Sequence, residues 1–299
     1  MRPPVEADRA EAGETSLLKV RAELAAAVSL VAGKPELTSR YHTAPLKIAK
    51  TFALRDEAGP QLAVVQMDVS PGLLDGDRYF YDWTVGAGAR LYATNQAYTR
   101  VHPCPDSDAR AEQRFRLGRG AVLEWLPEPV MLFRGAKYRC DTQVELEPES
   151  VCMLADLFCP GRIARGEVFG FDRCETSLSV RYQGELIHHQ RQRWLPGQMD
   201  LKAPGCFGTK THLGSLSIFS DRLDGPAIAA MTAQLEESGL LADDRGEVKL
   251  ALARTARHGL VAMLVGNRTW QVQRAMQEVW DAARLVLFGA SPVRLLKGG

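Results

Sequence analysis

Up to about Ser220, apolar and polar positions alternate mainly with a period of two; a helical period enters only near the C-terminus. LKVRAEL (18–24) alternates as a strand does, while the alanines at 25–27 would also suit a helix. Its place at the head of a β-patterned region favours strand. KPELTSRYHTAPLKIAKTF (34–52) and QLAVVQMDVS (61–70) continue that region between Pro, Gly and Asp turn signals. Pro45 has no N–H to give a ladder, so it belongs at a sheet edge or a strand start.

A weak repeat runs through the middle. VGAGARLYAT (85–94), LGRGAVLEWL (117–126) and LEPESVCMLA (146–155) each place an apolar residue before a four-residue turn and an alternating strand. The starts differ by 117 − 85 = 32 and 146 − 117 = 29 residues. A meander also produces such spacings, but a shared unit near this period predicts stacked layers that bury one another. The expected fold is mainly β, a layered antiparallel architecture of stacked, solenoid-like sheets over 16–222, after a disordered tail at 1–15.

The remainder, 223–299, reads as a smaller α+β lobe packed on the layers. SLSIFS (215–220) is a strand, and PAIAAMTAQLEESG is a helix with Pro226 in its first turn and Gly239 past its end. EVKLALART and HGLVAMLVG predict a hairpin across Ala256–Arg257. TWQVQRAMQEVWDAARLVLFG is an amphipathic helix with Val272, Met276, Val279, Ala283 and Val286 on one face. Trp270 and Trp280 are expected to be packing anchors.

Composition narrows the function classes. A formal net charge of +1 with 24% charged residues offers no basic stripe for nucleic acid. The longest apolar stretch, LAAAVSLVAG, is half of the ~20 residues a membrane helix needs. The polar start MRPPVEADRAEAGET lacks the apolar core of a secretory signal, and six scattered cysteines without CxxC suit a reducing cytoplasm.

Candidate chemistry is sparse. GLLDGDRYFYDW (72–83) carries Asp75, Asp77 and Asp82, a set that reads either as a polar turn or as oxygen ligands for a metal. Glu124, between Leu123 and Trp125, either faces outward by alternation or points into a polar cavity. His188 and His189 fall on opposite faces of a strand, whereas His102 and Cys104 would together offer two donors for nickel, copper or zinc. No nucleophile elbow, phosphate loop, dinucleotide fingerprint or zincin motif is present. In DLFCPGRIARGEVF (156–169), Asp156, Arg162, Arg165 and Glu167 interrupt residues suited to a buried strand and turn. Such charges need partners or solvent.

Several of these stretches, in order, resemble the UreD (UreH) family of urease accessory proteins: YHTAPLKI, SPGLLDGD, ATNQAYTRVHP, AVLEWLPEPVMLFRGAKY and DLFCPGRIARGEVFGF. The resemblance covers roughly 16–200 and is thinner beyond. The chain departs from the family pattern at Pro71 and Asp75, where many relatives have glycines, at Arg100 in place of lysine, and at Gln190 in place of an acid.

The resemblance implies a cytoplasmic, non-catalytic scaffold for urease maturation, a chaperone that binds apo-urease and a UreF-type protein, with the UreG GTPase joining through UreF. It implies nickel insertion through an internal polar passage, with Ni²⁺ in transit and no tightly bound cofactor. Asp77, Glu124, Asp156 and Glu167 would line that passage, with Gln96 and Thr99 adding neutral oxygens. Arg162 and Arg165 would pair with acids or anchor the GR turn; Asp156 and Glu167 acting only as their ion-pair partners is the competing reading. The 121–138 region and the C-terminal helix are the expected partner surfaces. From another class, a carboxylate-based β-fold hydrolase acting on a glycoside needs only two carboxylates on facing walls.

Overall fold

The computed structural model describes residues 19–242, 246–290 and 293; the expected tail at 1–15 lies outside them. The strands are β1 (Arg21–Val31), β2 (Lys34–His42), β3 (Leu46–Asp56), β4 (Gly59–Asp68), β5 (Arg78–Val85), β6 (Arg90–Asn95), β7 (Thr99–Val101), β8 (Ala109–Leu117), β9 (Val122–Trp125) and β10 (Val130–Leu132). They continue as β11 (Lys137–Leu146), β12 (Val151–Cys159), β13 (Arg173–Tyr182), β14 (Glu185–Trp194) and β15 (His212–Phe219). Helix α1 (Gly225–Glu237), β16 (Val248–Arg254), β17 (Gly259–Gly266) and helix α2 (Thr269–Phe288) complete the order.

Two sheets face each other. One runs β14-β13-β11-β8-β5-β1-β2, the other β16-β17-β15-β12-β9-β6-β4-β3. Each repeat places one strand in each sheet and turns between them over four residues. Ala89 N–H donates to Gly86 O, Ala121 N–H to Gly118 O and Ser150 N–H to Glu147 O, so the three turns are superposable rungs. β5, β8 and β11 begin at 78, 109 and 137, which is the repeat that the sequence carries.

The stacked, mainly β architecture therefore stands, but the strand direction within the stack differs from the antiparallel expectation. β1-β5-β8-β11-β13 and β4-β6-β9-β12 pair in parallel. Antiparallel pairs occur at the ends, as in β1-β2, β3-β4, β13-β14 and β12-β15-β17-β16. The reason is geometric: a unit that repeats by translation brings every copy of a strand back in the same direction.

Alternation then sorts the larger sheet into two buried faces. On β12, Cys152, Leu154 and Phe158 join the core between the sheets, whereas Val151, Met153, Ala155 and Leu157 pack under the helices. A strand covered on both sides reads as a continuous apolar run, and Asp156 is the one charge in it. α2 closes the outer face with Val272, Ala275, Met276, Val279, Trp280 and Ala283. Trp280 is fully buried and stacks on Tyr92 at 5.5 Å. Trp270 is 51% exposed and is no packing anchor, because it sits in the first turn of α2, off the apolar stripe.

Candidate functional site

Strands of both sheets and the corners between them enclose a polar space. An outer chamber of about 260 Å³ opens at Asp68, Ser70, Pro71, Gln96 and Arg100. An inner chamber of about 40 Å³ includes Gln113, Trp125, Glu128, Cys140 and Asp156 in its wall. Gln66, Tyr79, Tyr81, Asn95 and Thr99 line both, so they form the wall the two chambers share.

Asp156 is the chemical centre. It projects from β12 on the same side as Leu154 and Phe158, into the space between the sheets. Protein surrounds it, yet it keeps accessible surface, which is what a cavity wall does. Among the described residues it makes no hydrogen bond or ion pair, and burial alone pushes its pKa up to about 7. Of the arginine pairings expected for the 156–169 stretch, one holds: Arg162 donates to Glu167 through Nε at 2.9 Å and Nη2 at 2.5 Å, while Asp156 takes neither arginine. The Arg162 guanidinium also lies 4.2 Å from the centre of the Phe133 ring. Arg165 is exposed.

Other oxygens around Asp156 share its condition. The Gln66 Oε1 atom is buried with no partner among the described residues, on a side chain 6% exposed. Thr99 and Tyr81 also line both chambers. Burial raises the Tyr81 pKa well above its usual value, so the phenol is neutral. Cys140, also at the wall, has its thiol pushed up to about 12 by burial and by Asp156.

The expected lining set is only partly assembled. Asp156, Thr99 and Gln96 come together along the chambers. Asp77 does not reach them; buried, it accepts the Val20 and Leu74 N–H groups at 3.0 and 2.8 Å and fixes the turn before β5. Glu124 is neither outward-facing nor in the chamber. It alternates with Leu123 and Trp125 and so points to the helix side, fully buried, where Arg284 and Gln61 donate to it. Burial raises its pKa against the pull of Arg284. Arg284 also reaches Asp56, which Arg90 clamps through two bonds of 2.7 and 2.9 Å. This network ties α2 to β3, β6 and β9.

His102 and Cys104 do not converge. The His102 ring bonds Pro71 O at 3.2 Å, and the buried Cys104 thiol turns back to His102 O at 3.3 Å. Asp75 accepts from the Asp106 and Ser107 N–H groups, as a turn carboxylate. No group of three or more His, Cys, Asp or Glu among the described residues is arranged to hold a metal. Arg100 sits at the outer mouth, and Gln190 pairs with Leu178 at the far edge of its sheet. β9 is wholly buried, so 122–125 offers no partner surface.

Sequence reasoning missed Gln66, Tyr79, Tyr81, Asn95, Gln113 and Glu128. Each is an ordinary polar residue in an ordinary strand or corner, and only the register of the rungs brings them to one wall. The inner chamber has room for a few waters and none for a sugar ring. No helix among the described residues is long and apolar enough to cross a membrane.

Comparison with known proteins adds the last observation. A family model described as UreD urease accessory protein matches residues 20–296. A urease accessory protein UreD of Actinomyces naeslundii is 30% identical over 258 residues, 86% of this chain and 92% of that protein. Its counterpart in Acetivibrio thermocellus is 27% identical over 265 residues, 89% and 95% of the two chains. That of Haloquadratum walsbyi is 28% identical over 253 residues, 85% and 81%.

Proposed function

This chain belongs to the UreD family of urease accessory proteins, and on that premise we propose that it is a non-catalytic cytoplasmic scaffold for urease maturation. It binds apo-urease and a UreF-type protein, UreG joins through UreF, and Ni²⁺ bound for the urease active site moves through the chambers between the sheets. The observation that carries the reading is the Asp156 carboxylate: the one charge in a buried strand, with accessible surface and no partner among the described residues. A lone oxygen ligand holds a borderline cation weakly, which suits an ion that must be released.

The scaffold is tested by co-expression with a UreF-type protein, with and without UreG, followed by size-exclusion chromatography. One stoichiometric species is expected; separate elution would remove the scaffold reading. The passage is tested by Asp156→Ala in the assembled complex. Urease activation should fall several-fold while the complex still elutes intact, and unchanged activation would discard nickel transit past Asp156. Asp77→Ala is unsuitable for this purpose, since it removes a turn carboxylate.

A further inference from the structure

Four strands end the two sheets, β2, β3, β14 and β16, and each leaves one row of backbone N–H and C=O groups unpaired in its sheet. Three of them carry features that keep such edges from pairing. β2 is broken by a bulge between Leu37 and Ser39 and holds Pro35. β3 has a bulge between Ile48 and Lys50, with Lys47 and Lys50 along it. β16 is short and carries Lys249 and Arg254. β14 differs. Its bulge lies near its start, between Leu186 and His188, and 188–194 then pair with β13 in unbroken register, with neither proline nor lysine. Among the described residues, the backbone of 188–193 bonds nothing but β13.

The two faces of that run differ as well. His188 and Trp194 point between the sheets, where their rings meet Phe219 and Phe158 at 5.2 Å each. Alternation therefore puts His189, Arg191 and Arg193 outside. Both arginines lean on one carboxylate, Glu175, at 3.6 and 2.9 Å, and both remain more than half exposed. One positive charge there is left over. On the inner side, the larger sheet runs on past β15, which β14 meets through Phe219, to β17 and β16. On that side those two strands present Met263 and Val265, half-buried, and Ala251, exposed. A strand added to β14 would lie over this apolar ledge at the ~10 Å spacing of packed sheets. Its other face would stand beside the arginines.

We propose that the free edge of β14 is a docking site for an extended segment of a partner protein, added to the sheet as a further strand. Its side chains alternate between acidic ones, set against Arg191 and Arg193, and small apolar ones, set on the ledge. Main-chain hydrogen bonds supply affinity, and the alternation supplies selectivity. The site rests on the scaffold reading, since that reading supplies the partners that could fill it.

Residue-resolved hydrogen exchange on the full chain, alone and in its complexes with a UreF-type protein and with apo-urease, tests this. In one complex every second amide of 188–194 should slow at least about tenfold, because the amides between them already bond β13, while β2 and β3 keep their rates. Arg191→Glu combined with Arg193→Glu should weaken that complex about tenfold and reduce its sensitivity to salt. Arg191→Lys combined with Arg193→Lys keeps the charge and should bind within about threefold of wild type. If the Glu variant is misfolded by circular dichroism, Arg191→Gln combined with Arg193→Gln takes its place, with a several-fold loss expected. A complex that forms without slowing at 188–194 would overturn the docking site and leave the scaffold standing. Wild-type affinity in the charge-removed variant would do the same. Failure of the wild-type chain to bind either protein would overturn the scaffold reading, and the docking site with it.

Discussion

At the scale of single residues, two acids in similar apolar strands meet opposite fates. Asp156 faces a cavity without a partner among the described residues, and Glu124 faces the helix side with two donors. The Asp156 pKa of about 7 lies above its unfolded value of 3.8, so folding favours the protonated acid. Its contribution to stability is complete below pH ~4 and is lost as pH rises through ~7. Asp156→Asn should therefore raise the melting temperature at pH 8 and raise it less at pH 5; equal gains at both would contradict the unpaired, buried carboxyl. For Arg284, fully buried between Glu124 and Asp56, removal takes the cation from the buried Glu124, while Asp56 keeps Arg90. Arg284→Met should cost about 3–5 kcal/mol in urea denaturation, and a cost near zero would show that the network contributes nothing net.

Secondary-structure elements carry their own constraint where α2 meets the sheet. Gly214 on β15 and Gly266 on β17 leave a seat for Val272: a Cβ on either would stand 2.7 Å from a Val272 methyl. That approach lets the first turn of α2 lie close on the strands, beside the Cys159–Thr269 contact of 3.4 Å. Gly214→Ala should destabilise by about 1–3 kcal/mol through overpacking. Val272→Ala in the same chain should recover part of that loss. Additive losses in the double variant would reject the seat. A short apolar residue every few positions in α2 was visible in the sequence, but the glycines opposite read only as gaps in strand patterns.

For the whole molecule, the stack makes stability a matter of neighbours. Each inner rung is paired on both sides, whereas β2, β3, β14 and β16 are terminal in the order of their sheets. In such an assembly, opening begins at the ends and moves inward. Hydrogen exchange should find β6, β9 and β12 slowest and β2, β3, β14 and β16 fastest. Uniform protection across all rungs would mean that the stack opens as one unit. The polar chambers lie in the slow region.

The sequence by itself determined the β character, the repeat near 30 residues, the two helices with their ends, and the stretches that align with the family. All of these rest on local information: period, turn residues, caps and motif order. It also marked Asp156 as a charge in the wrong company. Tertiary structure decided the rest. Parallel pairing follows from how turns stack on turns, which no single turn reveals. The separation of Glu124 from Asp156 depends on which face of a doubly covered strand meets the helices, and both faces look alike in sequence. The recruitment of Gln66, Tyr81 and Thr99 depends on register between strands tens of residues apart. A cavity is a property of what surrounds it, and only the packed sheets supply its walls.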